Sequence, residues 1–113
     1  MVKYMDNKIV KRIENEFTNH VDFILKKIDL TKKKTIYVIY LESVTGSDKV
    51  NNYILKNLTF LNALKKKKLT DIANLIPAPH TVIIDNPEKI EFYITNGFTI
   101  VIWNEEILAL ETK

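Results

Sequence analysis

The sequence predicts a single α/β domain over residues 1–113, in which helices cover a mixed β-sheet of about five strands. The length of 113 residues and the 46% of hydrophobic residues are typical of one globular domain with a buried core. Residues 36–41 are continuously apolar, β-branched and aromatic, as expected for a strand that is covered on both faces. In the second half of the chain, strand patterns alternate with helical patterns, which favours a mixed sheet.

The first predicted elements follow from the spacing of apolar residues. Apolar side chains recur every four positions at Met5, Ile9, Ile13 and Phe17. This spacing predicts an amphipathic helix over residues 5–17, whose N-cap is Asp6 or Asn7. Residues 21–30 fit both a strand and a helix. We favour a strand, because a second strand follows directly after the polar turn at residues 31–34.

Two helices are predicted after the central strand. Ser47 is placed to cap the first of them, because it follows Gly46 in a polar turn. The apolar face of this helix consists of Val50, Tyr53, Ile54 and Leu58. The second helix is predicted over residues 62–75 and ends before Pro77, because proline cannot continue a helix.

The last third of the chain predicts a strand, a helix and a closing hairpin. The strand covers residues 81–84 and is followed by Asn86 as a helix N-cap, with Pro87 at the first helical position. Gly97 ends this helix, where a left-handed backbone conformation is required. The hairpin strands are predicted at residues 98–103 and 107–110, and the turn between them at residues 104–106.

Composition excludes several classes of function. The chain contains no cysteine, which excludes disulfides, thiolate catalysis and cysteine-based zinc sites and fits a reducing compartment. No run approaches the roughly 18 apolar residues that a membrane-spanning helix needs, and the N-terminus lacks a signal-peptide pattern. The chain as given is therefore expected to be soluble.

The sequence contains no recognisable catalytic or metal-binding constellation. His20 and Asp22 would supply two metal ligands, whereas a zinc site requires three or four. His80 follows two prolines in a predicted exposed loop and has no partner at ligand spacing. Ser43 lacks the Gly-x-Ser-x-Gly context of a nucleophile, and the two glycines are too far apart to form a phosphate-binding loop. We therefore predict no catalytic residue, no metal and no cofactor.

The best candidate for a ligand-binding loop is the segment 42–48. Ligands of open α/β sheets bind beyond the carboxyl ends of strands, and this segment follows the central strand. Its polar side chains are those of Glu42, Ser43, Ser47 and Asp48. The simpler interpretation is that Ser47 and Asp48 only begin the next helix. A hydrolase that uses Glu42 or Asp85 is the weakest hypothesis.

Two lysine runs supply most of the net charge of +3, one from Lys32 to Lys34 and one from Lys65 to Lys68. The second run offers an alternative function, a small domain that binds nucleic acid or an anionic surface. We favour a solvated helix face, because four successive lysines on a helix point in all directions and no aromatic residue interleaves with them. Tyr53 and Trp103 are the candidates for contact with another protein.

The segment IYVIYLESVTGSDKVNNYILKNL, residues 36–58, resembles the hallmark segment of the A subunits of GerA-type spore germinant receptors. The residues that carry this resemblance are Tyr40, Leu41, Asp48, Asn51, Ile54, Leu55 and Lys56. Further similarity follows in order at Phe17 with Asp22, at residues 75–77, at residues 90–102 with Asn-Gly-Phe-Thr at 96–99, and at residues 108–113. The resemblance covers residues 17–113.

The resemblance implies a regulatory or assembly module without enzymatic activity. Such a module is the first of two α/β subdomains in the N-terminal hydrophilic region of a larger membrane protein. The implied partners are the A, B and C receptor subunits and a small nutrient such as an amino acid, with no nucleic acid. The implied location is the spore inner membrane, with this domain on the cytoplasmic or core side. Two mechanisms stay open: subunit contact through Trp103 and the helix faces, which we favour, and nutrient binding at residues 42–48.

Overall fold

The computed structural model describes residues 7–113, so the predicted helical positions Met5 and Asp6 lie outside the described residues. The strands are β1 (Phe23–Thr31), β2 (Lys34–Leu41), β3 (Thr81–Ile84), β4 (Phe98–Trp103) and β5 (Glu106–Glu111). The α-helices are α1 (Lys8–Glu16), α2 (Ser47–Val50), α3 (Leu58–Leu64), α4 (Leu69–Ile72) and α5 (Ile90–Thr95). These elements form one α/β domain with a five-stranded sheet, which confirms the predicted fold class.

The sheet is antiparallel throughout, which corrects the prediction of a mixed sheet. Its strand order is β1-β2-β4-β5-β3, and each of the four neighbouring pairs is antiparallel. β3 and β4 run in the same direction and are connected through α5, but β5 lies between them. The helical crossover therefore does not create a parallel pair, although the alternation of strands and helices along the chain suggested one.

Two hairpins organise the sheet. In the first, β1 pairs with β2 from Phe23↔Leu41 to Thr31↔Lys34, which confirms the strand interpretation of residues 21–30. In the second, β4 pairs with β5 up to Trp103↔Glu106. Asn104 in the turn of this hairpin has a φ of 55°, a left-handed conformation that short hairpin turns require and asparagine tolerates.

Helices cover both faces of the sheet. On one face, α1 and α5 bury Val10, Ile13, Phe17, Ile90 and Ile94 against alternate strand residues. On the other face, the helical segments between β2 and β3 bury Val50, Ile54, Phe60, Leu64, Leu69 and Ile72. β2 lies in the middle layer, and seven of its eight residues are buried. They are Lys34 and the run from Ile36 to Leu41, whose continuous apolar pattern predicted its burial.

The predicted caps of the first and last helices are present. The Asn7 side chain accepts hydrogen bonds from the amides of Ile9 and Val10 at 3.0 and 3.1 Å. The Asn86 side chain accepts from the amide of Glu88 at 3.0 Å, at the start of the 3-10 turn Pro87–Lys89 that leads into α5. These bonds satisfy amides that have no partner within the helix.

The region between α2 and β3 differs from the prediction. The N-cap of α2 is Gly46, not Ser47, and a π-helical turn, Asn51–Leu55, follows the helix. Asn57 then caps α3 by accepting from the amide of Phe60 at 3.1 Å. This restart rotates the apolar face, so Leu58, predicted in the core, is 70% exposed.

The single helix predicted over residues 62–75 is also wrong, because the chain folds into α3, α4 and the 3-10 turn Ala73–Leu75 instead. The lysine run from Lys65 to Lys68 forms the exposed connection between α3 and α4. Four adjacent ammonium groups repel one another, and their exposed side chains bury little apolar surface that could offset this repulsion. The helix is therefore interrupted at the lysine run.

Candidate functional site

The candidate residues lie at two opposite ends of the sheet, which the strand register defines. We call the end that contains Leu41, Phe98 and Glu111 the Gly97 end, because Gly97 immediately precedes β4 there. The opposite end contains Lys34 and Trp103, and we call it the lysine end. The predicted ligand loop, residues 42–48, leaves β2 at the Gly97 end.

The first turn of this loop is fixed to the start of β1. The Asp22 carboxylate accepts hydrogen bonds from the Ser43 hydroxyl and from the Ser43 amide, the latter at 3.4 Å. The Glu42 amide donates to the carbonyl oxygen of Asp22 at 2.8 Å. The donated Ser43 hydroxyl bond is the main cause that holds the pKa of Asp22 below its usual value. Asp22 and Ser43 therefore form a local clamp between β1 and the loop.

The second half of the loop is fixed to the end of β5. The Gly46 amide donates to the carbonyl of Thr112 at 2.7 Å, and the Lys49 ammonium donates to the carbonyl of Lys113. The Thr112 hydroxyl is buried, bonds with the Thr99 hydroxyl at 2.7 Å and donates to the carbonyl of Gly97 at 3.2 Å. These contacts leave the loop with little freedom to close around a ligand.

The structure places the four predicted ligand residues together but does not enclose them. Glu42, Ser43, Ser47 and Asp48 are all exposed at the Gly97 end. Ser47 and Asp48 begin α2, as the simpler interpretation held. Within residues 7–113, no three histidine, aspartate or glutamate side chains are grouped so as to hold a metal ion.

Asp22 is a residue of this site for which no structural role was predicted, since it was named only as one of two metal ligands and as part of the family resemblance. A signal for its structural role was present. Once residues 21–30 are paired as an antiparallel hairpin with the central strand, Phe23 lies opposite Leu41, and Asp22 must lie next to Glu42 and Ser43. The role of Thr112 had no such signal, because it depends on the placement of β5.

His80 also lies at the Gly97 end, at the entry to β3. Its Nδ1 atom is hydrogen-bonded to the Glu111 carboxylate, and its carbonyl accepts from the Glu111 amide at 2.9 Å. The hydrogen bond with His80 is the largest cause that lowers the pKa of Glu111. The imidazole is 74% exposed, so the pair stands on the surface and encloses no substrate.

Replacing Ser43 with alanine is expected to raise the pKa of Asp22 towards its ordinary value of 3.8, because the hydroxyl that stabilises the carboxylate is removed. In the unmodified chain this stabilisation is present above the ordinary pKa and is lost as the pH falls through the lowered one. The Ser43→Ala variant should therefore lose stability at neutral pH and less in acid. NMR titration of Asp22 measures the pKa, and urea unfolding at neutral and at acid pH measures the stability.

Ser47→Ala is the matched control, because Ser47 is an exposed serine of the same loop at the start of α2. We expect this control to leave the pKa of Asp22 unchanged. An equal rise of the pKa in both variants would contradict the clamp.

The lysine end is organised around one buried ammonium group. Lys34 is 7% exposed, and its Nζ atom donates to the carbonyl of Lys67 at 2.7 Å. The same atom lies 3.8 Å from the centroid of the Trp103 ring, within the range of a cation–π contact. Loss of hydration lowers the pKa of Lys34, and the nearby negative charge of Glu106 opposes this change.

The Glu106 carboxylate provides a second anchor at the lysine end. Its Oε1 atom accepts a hydrogen bond from the amide of Leu69, the first residue of α4, at 2.8 Å. The turn from Lys65 to Lys68 is thus held on both sides, at Lys67 by Lys34 and at Leu69 by Glu106. A side-chain carboxylate at a helix start satisfies an otherwise unpaired amide.

The two predicted interface residues are both half-buried. Tyr53 and Trp103 pack against the core on the α3 face of the sheet, and the Trp103 ring carries the Lys34 ammonium. More exposed apolar side chains occur elsewhere, among them Phe92 on α5 at 63% exposure and Leu58 at 70%. Their exposure was not predictable from the apolar pattern, because it depends on how each helix is rotated against the sheet.

An open groove with a volume of about 1120 Å³ also lies at the lysine end. It is bordered by the start of α1, the turn between β4 and β5, and the strand residue Tyr37. Both lysines and carboxylates line it, including Lys8, Lys33, Asp85 and Glu105. The predicted ligand loop, residues 42–48, lies at the opposite end of the sheet, and no sequence pattern predicted this groove.

The antiparallel five-stranded sheet between two helical layers defines a small three-layer α/β domain, whose loops at the Gly97 end are tied to its last strand. The chain belongs to the family described as Bacillus/Clostridium GerA spore germination protein, whose model matches residues 11–113. This confirms the family resemblance found in the sequence. No curated protein matches the sequence.

A solved structure shares the fold. It is the crystal structure of the N-terminal domain of the A subunit of the Bacillus megaterium spore germinant receptor GerK3, with a TM-score of 0.70 at 15% identity. The similarity covers 92% of this chain and 44% of that one, so the chain spans less than half of the crystallised domain.

Family membership supports a role in spore germination, and the family is membrane-associated in spores. Among residues 7–113, no helix is both long enough and apolar enough to cross a membrane.

Proposed function

We propose that this domain is a non-enzymatic assembly module of the A subunit of a spore germinant receptor. In this proposal it is one of two α/β subdomains of an N-terminal hydrophilic region, and the membrane-spanning helices belong to other parts of the subunit. The parent protein lies in the spore inner membrane with B and C subunits, and this domain faces the cytoplasmic or core side. A small nutrient such as an amino acid triggers the response of the assembled receptor.

The observation that carries this proposal is the match of residues 11–113 to the GerA family. The match spans nearly the whole chain and includes both hairpins, the helices α2 to α5 and the part of α1 from Lys11 onwards. The similar fold of the GerK3 A-subunit domain agrees with a place in the N-terminal region of an A subunit. In this proposal the domain acts through the surfaces that it presents to other chains.

The geometry of the loop 42–48 favours subunit contact over direct nutrient binding. Ligand sites are usually concave and bring several polar groups towards one point. Here the Ser43 hydroxyl is bound to Asp22, and the backbone of Gly46 is bound to Thr112. Glu42 and Asp48 stand exposed on the surface.

Phe92 is the side chain best placed to anchor a neighbouring subunit. It is 63% exposed and contacts Tyr93 edge to face, with 5.3 Å between the ring centroids. Tyr93 in turn contacts Phe98 at 5.2 Å, so the exposed ring rests on an aromatic base. Aromatic anchors with such support dominate the energetics of many protein interfaces. Tyr53 and Trp103 remain predicted contact residues of lower exposure.

Site-specific photo-crosslinking in spores tests this proposal. A photoreactive amino acid replaces Phe92, Tyr53 or Trp103 in the full-length subunit, and Asn15, an exposed polar position on α1, is the control. We expect crosslinks to other receptor subunits from Phe92 at several times the yield from Asn15. Phe92→Ala should weaken the contact by more than about 1 kcal/mol and leave the stability of the domain nearly unchanged.

Two outcomes would contradict the proposal that the domain acts by subunit contact and not by nutrient binding. One is an equal crosslinking yield from Phe92 and Asn15. The other is saturable binding of an amino acid to the isolated domain, seen by ligand-observed NMR and abolished in Asp48→Ala. The second result would move the function of the domain to nutrient sensing at residues 42–48.

A further inference from the structure

The fold brings the two lysine runs of the sequence to the same end of the sheet. Lys32 and Lys33 form the turn between β1 and β2, and the run from Lys65 to Lys68 forms the turn between α3 and α4. The Lys34 ammonium joins the two turns, because Lys34 begins β2 and its Nζ atom donates to the Lys67 carbonyl. We call the exposed residues Lys32, Lys33 and Lys65 to Lys68 the lysine patch.

The lysine patch makes the charge of the domain strongly asymmetric. Its six exposed ammonium groups exceed the net charge of +3 of the whole chain, so the remaining residues carry more acids than bases. Two of the nearby carboxylates accept hydrogen bonds from other groups: Glu106 from the Leu69 amide, and Asp29 from the Thr35 hydroxyl at 2.6 Å. Glu105 is an exposed acid in the turn between β4 and β5.

We propose that the lysine patch binds the surface of an anionic phospholipid bilayer. Lysine clusters on a surface bind anionic lipid headgroups through summed point charges, without a shaped pocket for each one. The inference rests on the proposed function in one respect, because the proposed parent protein in the spore inner membrane brings such a bilayer near the domain. It does not depend on the subunit contact proposed for Phe92, because Phe92 lies on α5, on the face of the sheet opposite α3 and α4.

The make-up of the patch favours a lipid surface over nucleic acid. Binding of single strands uses aromatic side chains on which bases stack. At this end of the sheet, the aromatic residue Trp103 contacts Lys34. Its ring already carries the Lys34 ammonium, which lies 3.8 Å from the ring centroid. The patch contains only lysines, whose compact ammonium groups lack the bidentate geometry with which arginine recognises single phosphates.

Lys34 is the positioning residue of the patch. Its side chain is buried, and its bond to the Lys67 carbonyl fixes the second turn relative to the first. Buried ammonium groups are costly, so this one is held by a carbonyl, an aromatic face and the charge of Glu106 together. The two turns are therefore joined through Lys34, and their exposed lysines stand together at one end of the sheet.

Vesicle co-sedimentation tests the proposal. The probes are vesicles of phosphatidylglycerol and phosphatidylcholine in equimolar mixture and vesicles of phosphatidylcholine alone. The test variant is the double variant Lys32→Gln and Lys33→Gln. The matched control is Lys49→Gln with Lys113→Gln, which removes the same charge at the Gly97 end. Thermal unfolding of each variant confirms that the fold is kept.

We expect binding to the phosphatidylglycerol vesicles, none to phosphatidylcholine alone, and weakening by added salt. Each lysine near the surface contributes about fivefold, so the Lys32/Lys33 variant should bind about 25-fold more weakly. The Lys49/Lys113 control should bind within about twofold of the unmodified chain.

Three results would overturn the proposal. They are no binding to phosphatidylglycerol vesicles, an equal loss in the Lys32/Lys33 variant and the control, and tighter binding to a DNA or RNA oligonucleotide than to vesicles at the same salt concentration. The second result would mean that vesicle binding depends on the net charge of the chain and not on the lysine patch. The third would assign the patch to nucleic acid.

Discussion

Replacing Gly97 with alanine is expected to destabilise the domain by about 2–4 kcal/mol. Gly97 has a φ of 86°, a left-handed conformation that is strained for residues with a Cβ atom. A Cβ atom at this position would lie 2.9 Å from the Val44 carbonyl and 2.7 Å from the Cβ of Lys113. The first contact involves backbone, so the loop after β2 must move. Urea unfolding measures the loss.

The matched control is Gly46→Ala. Gly46 has a φ of −76°, and the nearest atom to an added Cβ is the Thr112 carbonyl oxygen at 3.2 Å. The backbone tolerates alanine here, so we expect a loss below about 1 kcal/mol. Equal losses at the two positions would mean that the left-handed conformation is not what requires glycine at Gly97.

The Gly97→Ala substitution also tests how the fold holds the candidate loop. Val44 belongs to the loop 42–48, and Gly97 also accepts the Thr112 hydroxyl bond that helps to hold the end of β5. A displaced Val44 would loosen the loop without touching Glu42 or Asp48. We therefore expect Gly97→Ala to increase proteolytic cleavage within residues 42–48, whereas Gly46→Ala should change it little.

The strands and the caps were predictable because their causes are local. An apolar run of β-branched residues, a short polar segment between two strands, and Asn-Pro before a helix each act within a few positions of the sequence. The strand at residues 81–84 and the capping role of Asn86 agree with the structure for this reason. The left-handed conformation of Gly97 was predictable in the same way.

The direction of the sheet was not predictable from local pattern. It depends on the placement of β5 between β3 and β4, and β5 is the last strand of the chain. The sequence shows that a helix connects two strands, but not that a third strand will later separate them. Without this separation a right-handed crossover would give a parallel pair, which is what the alternation suggested.

Charge in the lysine runs was visible in the sequence, but its arrangement was not. The distance between Lys34 and Lys67 along the chain gives no sign that the two residues meet. One buried lysine, a carbonyl and a tryptophan ring join the runs into a single patch. The lysines were predicted to form a solvated helix face, and in the structure they form one charged end of the molecule.

Replacing Phe60 with alanine is expected to destabilise the domain by about 3–5 kcal/mol, the largest effect of a single side chain considered above. Phe60 is fully buried and belongs to the cluster that joins α3 and α4 to the sheet. Truncation removes apolar contacts and leaves a cavity that short helices on either side cannot easily fill. The free energy of unfolding in urea measures the effect.

Leu58→Ala is the control, two positions earlier in the same helix. The sequence pattern placed Leu58 in the core, but its side chain is 70% exposed. We expect a change within about 0.5 kcal/mol, as is usual for exposed positions. A loss comparable to that of Phe60→Ala would show that α3 is rotated towards the face that the sequence pattern had favoured. The Asn57 cap sets where α3 begins, and this start decides whether Phe60 or Leu58 faces the sheet. A much larger loss of stability in Phe60→Ala than in Leu58→Ala is therefore expected only if the helix begins there.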